Sequence, residues 1–364
     1  MKRRRYWTIG LVVAATLAWT IADGAPPIAT NPDSTQTAAT QAVSANSTPA
    51  HSTEAAPPVR HGEIQFSPSP NEATAVPEPF RLEAKKFPFE LTPQPSVSDA
   101  VSVSLLTFPS PVHTDHVANN TVHCEYYRPA APGRYPACIV LHILGGDFPL
   151  SRTFANALAH RGVAALFVIM PYYGPRHDPN SSVRMVSSDP KQTVRGMTQA
   201  VKDIRVATAW LGQQSEIDPR QLGVFGISLG GITAALAGEA EPRFEKICPV
   251  LAGGGIGAIL WDSTEPHVAA ARKYWEAAGG SRQSLQDLMA KVDPATYADR
   301  ARGRKILMLN ASHDELIPRK CTDLLWKGFG QPRIVWYDCG HYSALWHLVD
   351  AVQQVTDFFQ PNGK

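Results

Sequence analysis

The chain has 364 residues, 44% of them hydrophobic and 18% charged, with a formal net charge of +2. Four of the positive charges lie in Lys2–Arg5. The remainder is therefore slightly acidic, which excludes the broad basic surface of a nucleic-acid binder. The five cysteines are odd in number and contain no C-x-x-C pair.

In chain order, the basic start is followed by Tyr6–Ala22, 17 uncharged and mostly apolar residues. A basic cap before an apolar run of this length is an export segment. We expect residues 1–24 to be a signal peptide, with Ala22-Asp23-Gly24 as the cleavage region. The alternative is a signal anchor that tethers the protein to a membrane through residues 6–22. Either way, the folded part is expected outside the cytoplasm, in the periplasm or the medium. Residues 25–97 are rich in Pro, Ala, Ser and Thr. Such composition buries too little apolar surface to offset ordering entropy, and predicts a disordered linker.

A folded domain is expected over residues 98–364. Val101–Phe108 and Asn120–Tyr127 read as an antiparallel pair. Tyr135–His142 and Val163–Met170 are apolar almost throughout, as strands covered on both faces are. A helix is predicted over Ser151–Arg161. Another is predicted over Thr193–Leu211, where Val194, Met197, Val201, Ile204 and Trp210 recur at helical spacing. Further strands follow at Gln221–Phe225, Ile247–Ala252, Lys305–Asn310 and Arg333–Trp336, and Asp350–Phe359 closes the chain as an amphipathic helix. This alternation predicts an α/β fold with a doubly wound, mostly parallel sheet flanked by helices. Residues 267–293 are helical in character and are either a lid over the site or a long crossover helix.

One turn carries chemistry. Gly226-Ile227-Ser228-Leu229-Gly230 closes an apolar run and opens a small-residue helix. A serine at the apex of such a turn is pushed out of the fold, and the Leu229 N–H lies at a helix N-terminus where developing negative charge is stabilised. The required base is His341, in Cys339-Gly340-His341 after the last strand. The orienting acid is Asp314, in His313-Asp314-Glu315-Leu316-Ile317-Pro318, with Glu315 and Asp338 as competitors. The loop His142-Ile143-Leu144-Gly145-Gly146 should supply a second oxyanion donor, the Leu144 N–H first and Gly145 next. Tyr172 and Tyr173, in Tyr172-Tyr173-Gly174-Pro175-Arg176, follow a strand end and are candidate substrate-binding residues at the rim. The alternative there is a turn with packed tyrosines and the arginine in solvent.

A strand, then G-x-S-x-G, then a helix, with Ser228, Asp314 and His341 in that order, resembles the α/β-hydrolase superfamily over residues 101–360. Asp203-Ile204-Arg205, Ile217-Asp218-Pro219-Arg220, His313–Pro318 and Gly340-His341 resemble its dienelactone-hydrolase-like and acetyl-esterase-like bacterial branch. Dienelactone hydrolases proper use a cysteine nucleophile where position 228 is serine, and an oxyanion loop that commonly starts His-Gly starts His142-Ile143 here. The resemblance implies a serine-dependent carboxylic ester hydrolase with a small-molecule ester substrate and no cofactor. A prolyl-oligopeptidase-like peptidase and a non-catalytic binding module are the other readings the fold permits.

Three further patterns carry less. Gly253-Gly254-Gly255-Ile256-Gly257-Ala258 fits a dinucleotide fingerprint but lies late in the sheet. His113, His116 and His123 lack the spacing of a metal site. Cys321 and Cys339 flank the acid and histidine segments, where a disulfide is conceivable in an oxidising compartment.

Overall fold

The computed structural model describes residues 58–361, apart from 96–97, 147 and 264–265. The expected export segment and the first part of the expected linker lie outside the described residues. No described helix is long and apolar enough to cross a membrane.

Ten strands form one mixed sheet: β1 (Arg60–Phe66), β2 (Lys85–Pro93), β3 (Val101–Pro109), β4 (Thr121–Pro129), β5 (Tyr135–Leu141), β6 (Ala164–Val168), β7 (Ile217–Ile227), β8 (Phe244–Val250), β9 (Lys305–Ala311) and β10 (Arg333–Tyr337). Their order is β1-β2-β3-β4-β6-β5-β7-β8-β9-β10. The first four run antiparallel, β4 meets β6 antiparallel, and every pairing from β6 to β10 is parallel. The parallel half is roofed on both faces, which is why β5 and β6 are buried at nearly every position. The principal helices are α1 (Phe148–His160), α2 (Pro190–Gly212), α3 (Leu229–Ala240), α4 (Ile256–Asp262), α5 (Pro266–Ala277), α6 (Arg282–Met289), α7 (Arg319–Gly328) and α8 (Leu348–Phe359). Residues 267–293 thus form two helices joined by a turn; α6 packs against α4 and against α2.

The linker expected over residues 25–97 is corrected from residue 58 onward, where the described residues begin. From residue 58 onward the chain joins the sheet, β1 pairing with β2 from Arg60↔Leu91 to Phe66↔Lys85. The composition is poor in apolar residues, but Ile64, Phe66, Val76, Phe80 and Phe87 are all buried against the core. An ion cluster fixes the segment as well. The buried Arg205 guanidinium on α2 donates to both oxygens of Glu72, at 2.6 and 2.9 Å, and to the Phe80 carbonyl. Its Nε reaches Glu241, which Arg243 also holds. Burial pushes the Glu72 carboxyl up, yet the hydrogen bonds and charge of Arg205 outweigh this and hold it below the ordinary carboxylate value. Breaking such a pair leaves a buried charge short of a partner. Glu72→Ala should therefore cost about 2–3 kcal/mol, which for a folded part of this size is a fall in Tm of roughly 3–5 °C on a circular dichroism melt. An unchanged Tm would show that the segment is held by its apolar contacts alone.

Helix α3 is buried along its whole length. Near its end sits Glu239, fully buried, with neither carboxylate oxygen hydrogen-bonded. Burial, helped by the nearby Asp293 charge, pushes its pKa well above the ordinary value. A raised folded-state pKa means that the native chain binds more protons than the unfolded one, so stability falls as pH rises above the unfolded value of about 4.3. Glu239→Met, similar in shape and free of charge, should match wild type near pH 4. It should gain by roughly 1–3 kcal/mol at pH 8. Parallel thermal melts at the two pH values check this, and an advantage that does not grow with pH would contradict it.

Candidate active site

Ser228 joins the carboxyl end of β7 to α3 and is held at φ 56°, ψ −117°, a conformation costly for a residue with a side chain. Its N–H donates to the Val250 carbonyl at 2.9 Å and its own carbonyl accepts from Ile232 N–H, so the turn is pinned from both sides. The flanking glycines are sterically required. A Cβ at Gly226 would strike the Gly230 backbone, and one at Gly230 would lie 2.6 Å from the His142 carbonyl oxygen. This close approach seats the N-terminus of α3 against the loop that leaves β5.

The Ser228 hydroxyl lies 2.9 Å from His341 Nε2, and His341 Nδ1 lies 2.8 Å from Asp314 Oδ2. Asp314 divides its two oxygens. Oδ1 accepts the N–H groups of Leu316 and Ile317, which fixes the carboxylate, and Oδ2 faces the imidazole. An acceptor at Nδ1 leaves the proton there, so Nε2 is the acceptor for the Ser228 O–H. The arrangement can draw the hydroxyl proton into the ring while Asp314 stabilises the resulting imidazolium. The acid has a 2% exposed side chain and the histidine 7%, whereas Asp338 is 93% exposed and pairs with His313 at 2.9 Å. Of the three candidate acids, the structure thus brings Asp314 to the ring. Glu315 has a different place: it accepts the backbone N–H of His341 at 2.9 Å. It also fills the space where a side chain at residue 340 would go, which explains Gly340.

Both sequence families and solved folds place the chain. The Alpha/beta hydrolase domain containing 18 family model matches residues 107–259, and the Prolyl oligopeptidase family model matches residues 195–324. An acetyl xylan esterase from Paenibacillus sp. R4 superposes with a TM-score of 0.59 at 17% identity, over 74% of this chain and 87% of that one. The chain is a member of the α/β-hydrolase superfamily. Acetyl xylan esterase 1 from Thermoanaerobacterium sp. JW/SL YS485 has the same fold, with a TM-score of 0.58 at 16% identity over 79% and 96% of the two chains. An uncharacterized protein of Mycobacterium tuberculosis strain H37Rv is 27% identical over 183 residues, 50% of this chain and 42% of that protein. The chain thus spans less than half the length of this curated relative.

Within this α/β-hydrolase, the two proposed oxyanion donors lie on adjoining elements. Leu229 is the first residue of α3, so its N–H is among those a helix leaves without an internal partner. Leu144 lies two residues beyond His142 and is 48% exposed. Tyr172 and Tyr173 are not at an open rim; both are buried, Tyr172 against His116 and Tyr173 against His142 at ring-centroid distances of 5.7 and 4.7 Å. Nor is Arg176 in solvent. It is fully buried, paired with Asp203 at 2.7 Å and donating to the carbonyls of Ile169 and Asn119. The Asp203-Ile204-Arg205 motif is therefore a structural one, its two charges locking this turn and the N-terminal segment to α2. Cys321 and Cys339 are both free thiols, so no disulfide joins them. The Gly253–Ala258 turn presents the Gly255 and Ile256 N–H groups to the Asp293 carboxylate. That carboxylate stands where a nucleotide phosphate would otherwise be held. Among the described residues, no three His, Cys, Asp or Glu side chains are gathered as a metal ion would need.

Proposed function

We propose that this protein is a serine hydrolase of carboxylic esters, exported from the cytoplasm by its first 24 residues. The observation that carries the reading is the unbroken relay Ser228–His341–Asp314, with contacts of 2.9 and 2.8 Å. Ser228 Oγ attacks the ester carbonyl carbon as His341 Nε2 takes its proton. The tetrahedral oxyanion is held by the N–H groups of Leu229 and Leu144. The C–O bond to the leaving alcohol breaks, and that alcohol takes the proton from His341. Water then attacks the acyl-enzyme with His341 as base, releasing the carboxylic acid and restoring the Ser228 hydroxyl.

Two of the solved proteins that share this fold are acetyl xylan esterases, which favours a short acyl group. The Prolyl oligopeptidase family match over residues 195–324 favours a second reading, cleavage of a peptide bond by the same three residues. A panel of p-nitrophenyl acetate, butyrate and octanoate beside a prolyl p-nitroanilide separates the two. We expect turnover of the acetate ester and none of the anilide. Anilide cleavage without ester cleavage would move the assignment to a peptidase, and turnover of neither would overturn it.

A further inference from the structure

The loop after β5 contains a histidine that the mechanism above does not use. His142 is fully buried, yet both ring nitrogens are engaged by backbone. Nε2 accepts the Met170 N–H at 3.1 Å. A backbone amide has only a donor to offer, so Nε2 carries no proton and Nδ1 must. Nδ1–H therefore donates to the Ile143 carbonyl, 2.8 Å away. Burial pulls the pKa of this ring down to about 4, so it stays neutral and holds this one tautomer at physiological pH.

The Ile143 carbonyl belongs to the same peptide unit as the Leu144 N–H. In a planar trans peptide, C=O and N–H point in opposite directions. A ring that holds the oxygen therefore aims the N–H away from itself. The neighbouring residue, Gly145, has other company: its backbone lies beside the Tyr173 hydroxyl, whose pKa burial pushes up and the Gly145 backbone only partly draws back. Tyr173 in turn packs edge-on against His142. The carbonyls of Leu141 and His142 abut Gly230, two residues from Ser228. The peptide in question thus begins beside the serine turn.

We propose that His142 is a positioning residue, which orients the Ile143–Leu144 peptide plane and so makes the Leu144 N–H, rather than that of Gly145, the second oxyanion donor. Histidine serves here although the residue after it is isoleucine. The Ile143 carbonyl also accepts the Gly146 N–H at 3.4 Å, and the ring's 2.8 Å contact is the shorter of these two holds on the oxygen. This inference rests on the ester-hydrolase reading.

Two substitutions separate the ring's two contacts. The amide nitrogen of asparagine falls near the Nδ1 position and keeps the donor to Ile143. The amide group of glutamine falls near Nε2 and keeps only the partner of Met170. Each full-length variant would be assayed on p-nitrophenyl acetate, with circular dichroism to establish folding and a trifluoromethyl ketone as a mimic of the tetrahedral oxyanion. His142→Gln should lower kcat about 10- to 100-fold with KM within about threefold, and should weaken ketone binding by the same factor. His142→Asn should restore most of that loss. Should His142→Gln fail to fold, His142→Asn decides alone: a kcat loss under about fivefold supports the proposal and a larger one overturns it. Equal losses in the two variants, a change confined to KM, or full activity of folded His142→Gln would also overturn it. In each of those cases the active wild type leaves the ester-hydrolase reading standing. A wild type that hydrolyses no ester removes both.

Discussion

Ser228→Ala is expected to lower ester turnover by at least about 10⁴-fold while leaving the thermal transition near that of wild type. The size follows from what the hydroxyl does. With it gone, no covalent intermediate forms, and only the oxyanion donors and binding remain to accelerate attack by water. The fold should survive because the turn is held by its backbone, through Ser228 N–H to Val250 and Ile232 N–H to the Ser228 carbonyl, and these bonds do not involve Oγ. The serine accepts positive φ at a cost, so alanine inherits the same strain and no new one. Steady-state hydrolysis of p-nitrophenyl acetate, with a melt on the same sample, reads both halves. A folded variant with activity within tenfold of wild type would remove Ser228 from the chemistry.

The second large effect separates two aspartates. Asp314→Asn should cut kcat about 10⁴-fold, because an amide at this position can present N–H to the ring and so select the wrong tautomer of His341. Asp338→Asn should leave kcat within about threefold. Its carboxylate is almost fully exposed and its partners are His313 and Ser312, not the imidazole of His341. The rates of the two variants, side by side, decide the acid. The reverse order of losses would assign that role to Asp338.

Much of this site was legible in the sequence because each of its parts has a local signature. The serine turn is written in five consecutive residues, and the strands that carry it are long apolar runs. Asp314 and His341 each follow a predicted strand by a few residues. What could not be read depends on partners distant in sequence. Arg60–Phe66 carries only a weak alternation of buried and exposed positions. It is a strand because β2 pairs with it and because Arg205, more than 130 residues away, holds Glu72. Arg176 looks like a solvent-exposed turn residue until Asp203 neutralises it inside the fold. Glu315 and His142 act on backbone N–H and C=O groups, and no sequence pattern records such contacts.

The central claim is that Ser228 is an activated nucleophile, and active-site labelling tests it most directly. The full-length chain and Ser228→Ala would be treated with a fluorophosphonate, digested, and the adduct mapped by mass spectrometry. We expect one stoichiometric adduct, on Ser228 in the wild type, and none in the variant. A folded wild type that takes no label, or takes it on another residue, would contradict it.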